Sequence, residues 1–238
     1  TTERDRYPAF RIPTVCIPAS IDNNLPGSEL SIGADTALNV IVEAMDKVKE
    51  SGIASRRCFV VETMGRDCGY LALMSGIAAG AERIYTNEDG ISLDDLVNDV
   101  HWLRESFAHG RRLFLAVRNE NASHNYTTDF IARLLEEESH GMYDVRQVVL
   151  GHMQQGGSPS PFDRLLANRL GYRALNLIDD ELAAHQDGSW FIGVNESGMR
   201  PCSMDTMPSL IDAAHRRPRE QWWLQLRTIA RMVSDEVR

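Results

Sequence analysis

Short apolar runs bounded by turn residues alternate with stretches of helical periodicity along most of this chain, and that alternation limits what it can fold into. It is the pattern of βαβ units, in which a strand reaches its parallel neighbour through a helix. "TVCIP" (Thr14–Pro18) reads as a buried strand. Leu38, Ile41, Met45 and Val48 then recur at three and four residues and predict a helix from about Asp35 to Lys49. "CFVVE" (Cys58–Glu62), "RIYT" (Arg83–Thr86), "RLFLAV" (Arg112–Val117), "VRQVVLG" (Val145–Gly151) and "WFIGVN" (Trp190–Asn195) read as further strands. Between them, helices are expected over "GYLALMSGIAAGA", from about Ser92 to Phe107, and over Thr127–Glu138. Another opens at Pro161 and runs to about Ala184, with Phe162, Leu166, Leu170 and Leu177 on one side. "EQWWLQLRTIARMV" reads as a closing amphipathic helix. The expected architecture is one doubly wound α/β unit: a mostly parallel sheet, helices on both faces, and a helical C-terminal tail packed on it.

Composition narrows the function. With 238 residues the chain can bury a real core, and 43% hydrophobic with 25% charged residues is ordinary for a globular protein. A formal net charge of −9 argues against nucleic-acid binding, which needs a basic face. No apolar run reaches the ~18 residues of a membrane span and no signal-peptide core is visible, so the expectation is a cytoplasmic protein with no membrane partner. The four cysteines (Cys16, Cys58, Cys68, Cys202) lack CxxC spacing and read as reduced, buried thiols. Neither GxGxxG nor GxxxxGK[ST] occurs, and the chain begins "TTERDRYPAF" without an initiator methionine just before a core strand. The expectation is a chain entered partway through its fold.

Three loops follow strands in this reading: Ser20-Ile21-Asp22-Asn23-Asn24, Met64-Gly65-Arg66, and "GHMQQGGSP" (Gly151–Pro159). Open α/β sheets bind ligands at the carboxyl ends of their strands. Arg57, Glu120 and Arg146 lie next to strands as well. A histidine, arginines and backbone amides at helix starts describe an anion site, of which phosphate is the best fit. Glu120 and the amides suit hydroxyl groups, so a sugar phosphate fits better than inorganic phosphate. No His/Cys set has metal-ligand spacing, so no metal site is expected. Taken singly, the same residues have plainer readings: a solvated edge arginine, a packing Met64, a turn at Gly156-Gly157, a turn-capping Asp22.

Together and in order, "IPASIDNN", "PGSELSIGADTALN", "VVETMGRDCGY", "AVRNENASHNYTTDF" and "VLGHMQQGGSPSPFDR" resemble the 6-phosphofructokinase family, over nearly the whole chain from about Ile12. "NYTTDF", "GHMQQGGSP" and "EQWWLQLR" are most similar to the C-terminal half of the duplicated eukaryotic ATP-dependent enzymes, a half that binds the activator fructose 2,6-bisphosphate. The resemblance implies a phosphofructokinase-like doubly wound fold, with residues 1–238 as the sugar-phosphate-binding portion of one unit and the nucleotide-binding N-terminal part missing. It implies that Asp22 is the general base on the sugar hydroxyl and that Met64, Gly65 and Arg66 are the substrate-binding turn, with Arg66 also catalytic. Ser20, Glu120 and His152 match sugar-phosphate positions. Arg57 and Arg146 match arginines that reach the sugar phosphate across a subunit or half-to-half boundary. Asn24 stands where catalytic halves carry a second aspartate that helps hold Mg²⁺, and Gln155 where they carry an arginine. Arg216, or Arg217 beside it, falls near an arginine that regulatory halves aim at a phosphate. Ala19 stands where pyrophosphate-dependent members have lysine, which favours ATP as donor.

Two readings follow from the resemblance. In one, the chain is part of an ATP-dependent 6-phosphofructokinase, a glycolytic kinase converting fructose 6-phosphate and ATP to fructose 1,6-bisphosphate and ADP. In the other, it is a non-catalytic half that binds fructose 2,6-bisphosphate as an allosteric activator. Asp22 and Arg66 favour the first, Asn24 and Gln155 the second. Either way Mg²⁺ and ATP belong to the full enzyme, and the segment alone is expected to bind neither and to be inactive. Its implied partners are fructose 6-phosphate or fructose 2,6-bisphosphate, and an N-terminal half or second subunit in a homo-oligomer.

Overall fold

The computed structural model describes residues 3–52 and 55–233. In chain order it has α1 (Glu3–Arg6), β1 (Thr14–Cys16), α2 (Ala34–Gly52), β2 (Arg57–Thr63), α3 (Tyr70–Ala79) and β3 (Arg83–Tyr85). There follow α4 (Leu93–Ala108), β4 (Leu113–Asn119), α5 (Thr128–Glu137), β5 (Asp144–Val149) and α6 (Pro161–Ala183). The last part has β6 (Ser189–Asn195), β7 (Gly198–Ser203), α7 (Met207–Leu210), β8 (Ile211–Asp212), β9 (Arg217–Pro218) and α8 (Arg227–Val233).

The expected single unit is divided in two. Thr1–Asp35 with Pro159–Gln221 form one compact unit, and Thr36–Ser158 with Trp222–Arg238 the other. The reason lies in a non-local pairing that periodicity cannot reveal. The first strand, β1, pairs in parallel with the late strand β6, with Thr14 opposite Ser189.

In the second unit β3, β4, β2 and β5 lie side by side in that order, all parallel. The fold class read from the sequence holds here: a parallel sheet flanked by helices. Side chains alternate across a strand, and both alternate sets of β2 are buried, Cys58 and Val60 as well as Phe59 and Val61. One set meets Leu96, Val100, Leu103 and Phe107 of α4 and Ile131 and Leu135 of α5. Helix α3 packs on β2, β3 and β4. Burial pushes the Cys58 thiol well above its ordinary range, so it stays protonated. Cys68 is also buried, whereas Cys16 and Cys202 are only half-buried; all four are free thiols. Helix α4 begins with a full capping box: the Ser92 hydroxyl accepts from Asp95 N–H, and the Asp95 carboxylate accepts from Ser92 N–H at 2.8 Å. The C-terminal stretch is not one helix. Trp222–Leu226 is a 3-10 turn before α8, and it buries Trp223 edge-on against Tyr70 of α3, with ring centroids 5.9 Å apart.

In the first unit the sheet runs β1-β6-β7, with β7 antiparallel on the edge. Pro201 hides β7 from a sequence reading, but an edge strand tolerates a residue without an N–H. Leu166, Leu170 and Ala174 of α6 pack with Ile192, Val15 and Ile17. Phe162, expected on that face, is exposed instead.

Leu103→Ala should destabilise the second unit by about 2–5 kcal/mol through the cavity it leaves. Ser92→Ala, which removes only a cap, should cost about 1 kcal/mol. Urea unfolding followed by circular dichroism checks both values and their order.

Candidate functional site

The first unit presents Asp22 on a tightly bonded loop. Asn23 takes a left-handed backbone at φ 52°, unusual for a residue with a side chain, and its amide explains how the loop sustains it. Asn23 Nδ2 donates to the Glu29 carbonyl at 2.8 Å and Oδ1 accepts from Ser31 N–H at 2.7 Å, folding the loop onto the Pro26-Gly27 break. Asp22 is 8% exposed, and its N–H donates to Ser20 Oγ at 3.2 Å. The Ser20 hydroxyl donates in turn to Asn24 Oδ1 at 3.0 Å, and Asn24 Nδ2 donates to the Arg216 carbonyl at 3.3 Å. Arg216 also has a left-handed backbone, in the turn between β8 and β9, while Arg217 sits in β9 opposite Asp212. His215 in the same turn hydrogen-bonds Asp212 and holds that carboxyl below its usual range. Ser20, Asp22, Asn24 and the Arg216 backbone are thus one bonded set. At its foot, Gly33 N–H donates to Asp163 at 2.9 Å and Ser160 Oγ to Asp35 at 2.5 Å, anchoring the loop to the start of α6.

The second unit builds its loops at the carboxyl ends of β2, β4 and β5. Gly65 has φ 132°, and a Cβ there would lie 2.4 Å from the Cys68 carbonyl oxygen, so only glycine fits. Arg66 follows at φ 51°, its N–H donating to Glu120 Oε1 at 2.8 Å while its side chain is exposed. Glu120 is held through its own N–H, which donates to the Thr63 carbonyl at 2.9 Å. Met64 N–H donates to Gln154 Oε1 at 3.2 Å, and Gln154 Nε2 to the Gly151 carbonyl at 2.8 Å. The structure therefore joins Met64, Gly65, Arg66, Glu120 and the His152–Gln155 turn; His152 Nδ1 lies 3.4 Å from Gln155 Oε1, and both side chains are exposed.

Arg57 and Arg146 lie elsewhere. Arg57 opens β2, six residues before Thr63, so at ~3.3 Å per residue it is about 20 Å from the Met64–Arg66 turn. Arg146 is opposite Phe59 on the neighbouring strand, exposed, and donates to the Val145 carbonyl at 2.7 Å. Sequence reasoning missed Gln154, Asn23 and Asn119. Gln154 stands beside the residue chosen in "HMQQGG", and its signal is burial at 1% exposure. Asn119 ends β4 and donates to the Met64 and Cys68 carbonyls at 3.4 and 3.3 Å, bracing the Gly65 turn.

A magnesium ion prefers carboxylate oxygens. Asn24 offers an amide already bonded on both sides, and no group of three or more His, Cys, Asp or Glu side chains converges among the described residues. The Asp22 loop by itself does not fit a metal ion.

A sequence model described as Phosphofructokinase matches residues 2–178. ATP-dependent 6-phosphofructokinase, platelet type, of Rattus norvegicus is 42% identical over 241 residues, covering 97% of this chain and 31% of the relative. The muscle-type enzyme of Homo sapiens is 43% identical over 242 residues, again 97% and 31%. The chain thus spans about a third of the length of these curated relatives. Phosphofructokinase from Saccharomyces cerevisiae superposes with a TM-score of 0.93 at 36% identity, over 98% of this chain and 32% of that one. A pyrophosphate-dependent phosphofructokinase from Marinobacter aquaeolei, at 16% identity and TM-score 0.67 over 96% of this chain and 62% of that one, shares the fold.

Gly65→Ala should cost at least about 2–4 kcal/mol, because a left-handed strain of about 1–3 kcal/mol adds to a clash with backbone. Gly80→Ala, at φ 69° but with nothing within 4 Å of the added Cβ, should cost only about 1 kcal/mol. Equal losses in chemical denaturation would show that the close approach at Gly65 does not matter.

Proposed function

Because the chain belongs to the phosphofructokinase family, we propose that it is the sugar-phosphate-binding part of an ATP-dependent 6-phosphofructokinase, with Asp22 as the general base. The observation that carries the reading is the buried Asp22 on a loop whose every neighbour is bonded: Ser20 to Asn24, Asn23 to Glu29 and Ser31, Asn24 to Arg216. A loop fixed in this way holds the Asp22 backbone in one place, and proton transfer from a sugar hydroxyl requires such a positioned base. In the second unit, Arg66 is fixed by its backbone while its guanidinium stays exposed, which suits a two-pronged grip on phosphoryl oxygens. Glu120 keeps a second oxygen for a sugar hydroxyl, and His152 and Gln155 offer exposed polar tips beside it. The ~20 Å between Arg57 and the Met64–Arg66 turn supports the assignment of Arg57, and Arg146 with it, to the sugar phosphate of a neighbouring half or subunit. On this reading Mg²⁺ and ATP are bound by other parts of the full protein. Proton transfer and sugar-phosphate binding are the tasks of this chain.

A second reading, the regulatory half that binds fructose 2,6-bisphosphate, is supported by Asn24 and Gln155. Both are neutral where a catalytic half carries charge, and the Asn24 amide is engaged with Ser20 and Arg216.

Substitution of Asp22 in the full-length protein separates the two. Asp22→Ala should lower kcat by about 10²–10⁴-fold with fructose 6-phosphate binding retained, as expected for loss of a general base. Undiminished kcat with a lost response to fructose 2,6-bisphosphate would assign the regulatory role instead.

A further inference from the structure

Gln154 is 1% exposed, although Met153 and Gln155 on either side of it are exposed. A buried amide is tolerated where both its oxygen and its nitrogen find partners. Gln154 Nε2 donates to the Gly151 carbonyl at 2.8 Å, three residues back, which closes its own turn. Its Oε1 accepts from Met64 N–H at 3.2 Å, 90 residues away in the chain. The orientation of the amide is forced, because a backbone N–H only donates and a carbonyl only accepts.

Met64 is held from its other end as well. Asn119, wholly buried, donates Nδ2 to the Met64 carbonyl at 3.4 Å and to the Cys68 carbonyl at 3.3 Å. The ladder between β2 and β5 reaches these turns with Leu150 N–H donating to the Glu62 carbonyl at 3.2 Å. Past that rung Gln154 carries the connection on, from the turn after β5 to the turn after β2. A side chain bound locally at one end and non-locally at the other acts as a strut. It holds one spacing between the turn that bears His152 and Gln155 and the turn that bears Arg66.

We infer that Gln154 is a positioning residue, which sets Arg66 against His152 and Gln155 so that one sugar phosphate meets both turns. It acts through the Met64 backbone and touches no ligand itself. The inference rests on the sugar-phosphate reading of this site and adds the residue on which the joint action of its two loops depends. A misplacement of about 1 Å can cost about 10²-fold in rate, so loss of the strut should register in ligand affinity well before it unfolds the chain.

Two substitutions in the full-length protein test it. Gln154→Leu removes both bonds and should weaken fructose 6-phosphate binding, read by titration calorimetry, at least about tenfold. Without ligand, the Met64 amide of the same variant should exchange its hydrogen at least about tenfold faster. Gln154→Glu carries its own control. A neutral carboxyl replaces both bonds, its carbonyl accepting from Met64 and its O–H donating to Gly151, whereas the ionised form has no hydrogen to donate. Burial raises a carboxyl's pKa, which brings the change within a titration from about pH 5.5 to 9. Relative to wild type at the same pH, Gln154→Glu should bind within about threefold at the acid end and at least about tenfold more weakly at the alkaline end. Glu62, Arg66, Asp67, Arg118, Glu120 and His152, the charged and titratable groups of the surrounding strand ends and turns, enter both proteins alike. Binding unchanged in both variants overturns the inference. So does a loss that acid fails to restore in Gln154→Glu, which would mean general damage to the fold. Wild-type protein that binds no fructose 6-phosphate overturns the functional reading and this role with it, whereas unchanged exchange at Met64 overturns the strut alone.

Discussion

One guanidinium organises the carboxyl end of the larger sheet. Arg118, in the strand flanked by β2 and β3, is 1% exposed and spends its donors on five neighbours. It donates to the Glu62 carboxylate at 2.8 Å, to the Glu120 and Tyr126 carbonyls at 3.0 and 3.2 Å, to the Ser123 carbonyl at 2.5 Å, and to Thr128 Oγ1 at 3.4 Å. Burial pulls its pKa down and Glu62 pushes back, yet a guanidinium starts so high that it remains charged. The buried charge therefore obliges the loop from Glu120 to Tyr126 to wrap around it with carbonyls turned inward. That wrapping sets Glu120, Glu120 receives the Arg66 N–H, and the Arg66 turn dictates glycine at position 65.

The same logic explains what was legible in the sequence. Every strand of the parallel sheet and the helices between them were visible as apolar runs and periodicity: β2 and β4 are buried at nearly every residue, while the edge strand β5 buries only Val145. Ser92, Thr127 and Pro161 were read as helix starts, and the structure caps these helices with Ser92, Thr127 and Ser160. Non-local facts left no such mark: that β1 pairs with β6 and so divides the chain, that a proline-bearing edge strand adds to that sheet, and that Trp222–Leu226 leaves the α-helical form to bury Trp223 on α3.

Of the site residues, those on loops after strands were readable as chemistry and the residues that hold them were not. Asp22, Arg66 and Glu120 carry charges that stand out in a strand-end loop. Asn23, Asn119 and Gln154 are amides that bond to backbone, and nothing in their identity separates a structural brace from a ligand contact. Gln155 drew notice through its family position, while Gln154 next to it ties the loop to Met64. Arg57 and Arg146 were readable as ligand arginines, but only the strand register shows how far Arg57 lies from the Met64–Arg66 turn.

The account turns on Asp22, proposed above as the general base, facing the reacting end of a bound sugar phosphate. Titration calorimetry of the assembled full-length protein with fructose 6-phosphate and fructose 2,6-bisphosphate measures that directly. A carboxylate there repels a second phosphate, so the bisphosphate should bind within about tenfold, or ~1.4 kcal/mol, of the monophosphate. Asp22→Ser should widen that gap. A bisphosphate preference unchanged by that substitution would contradict the account.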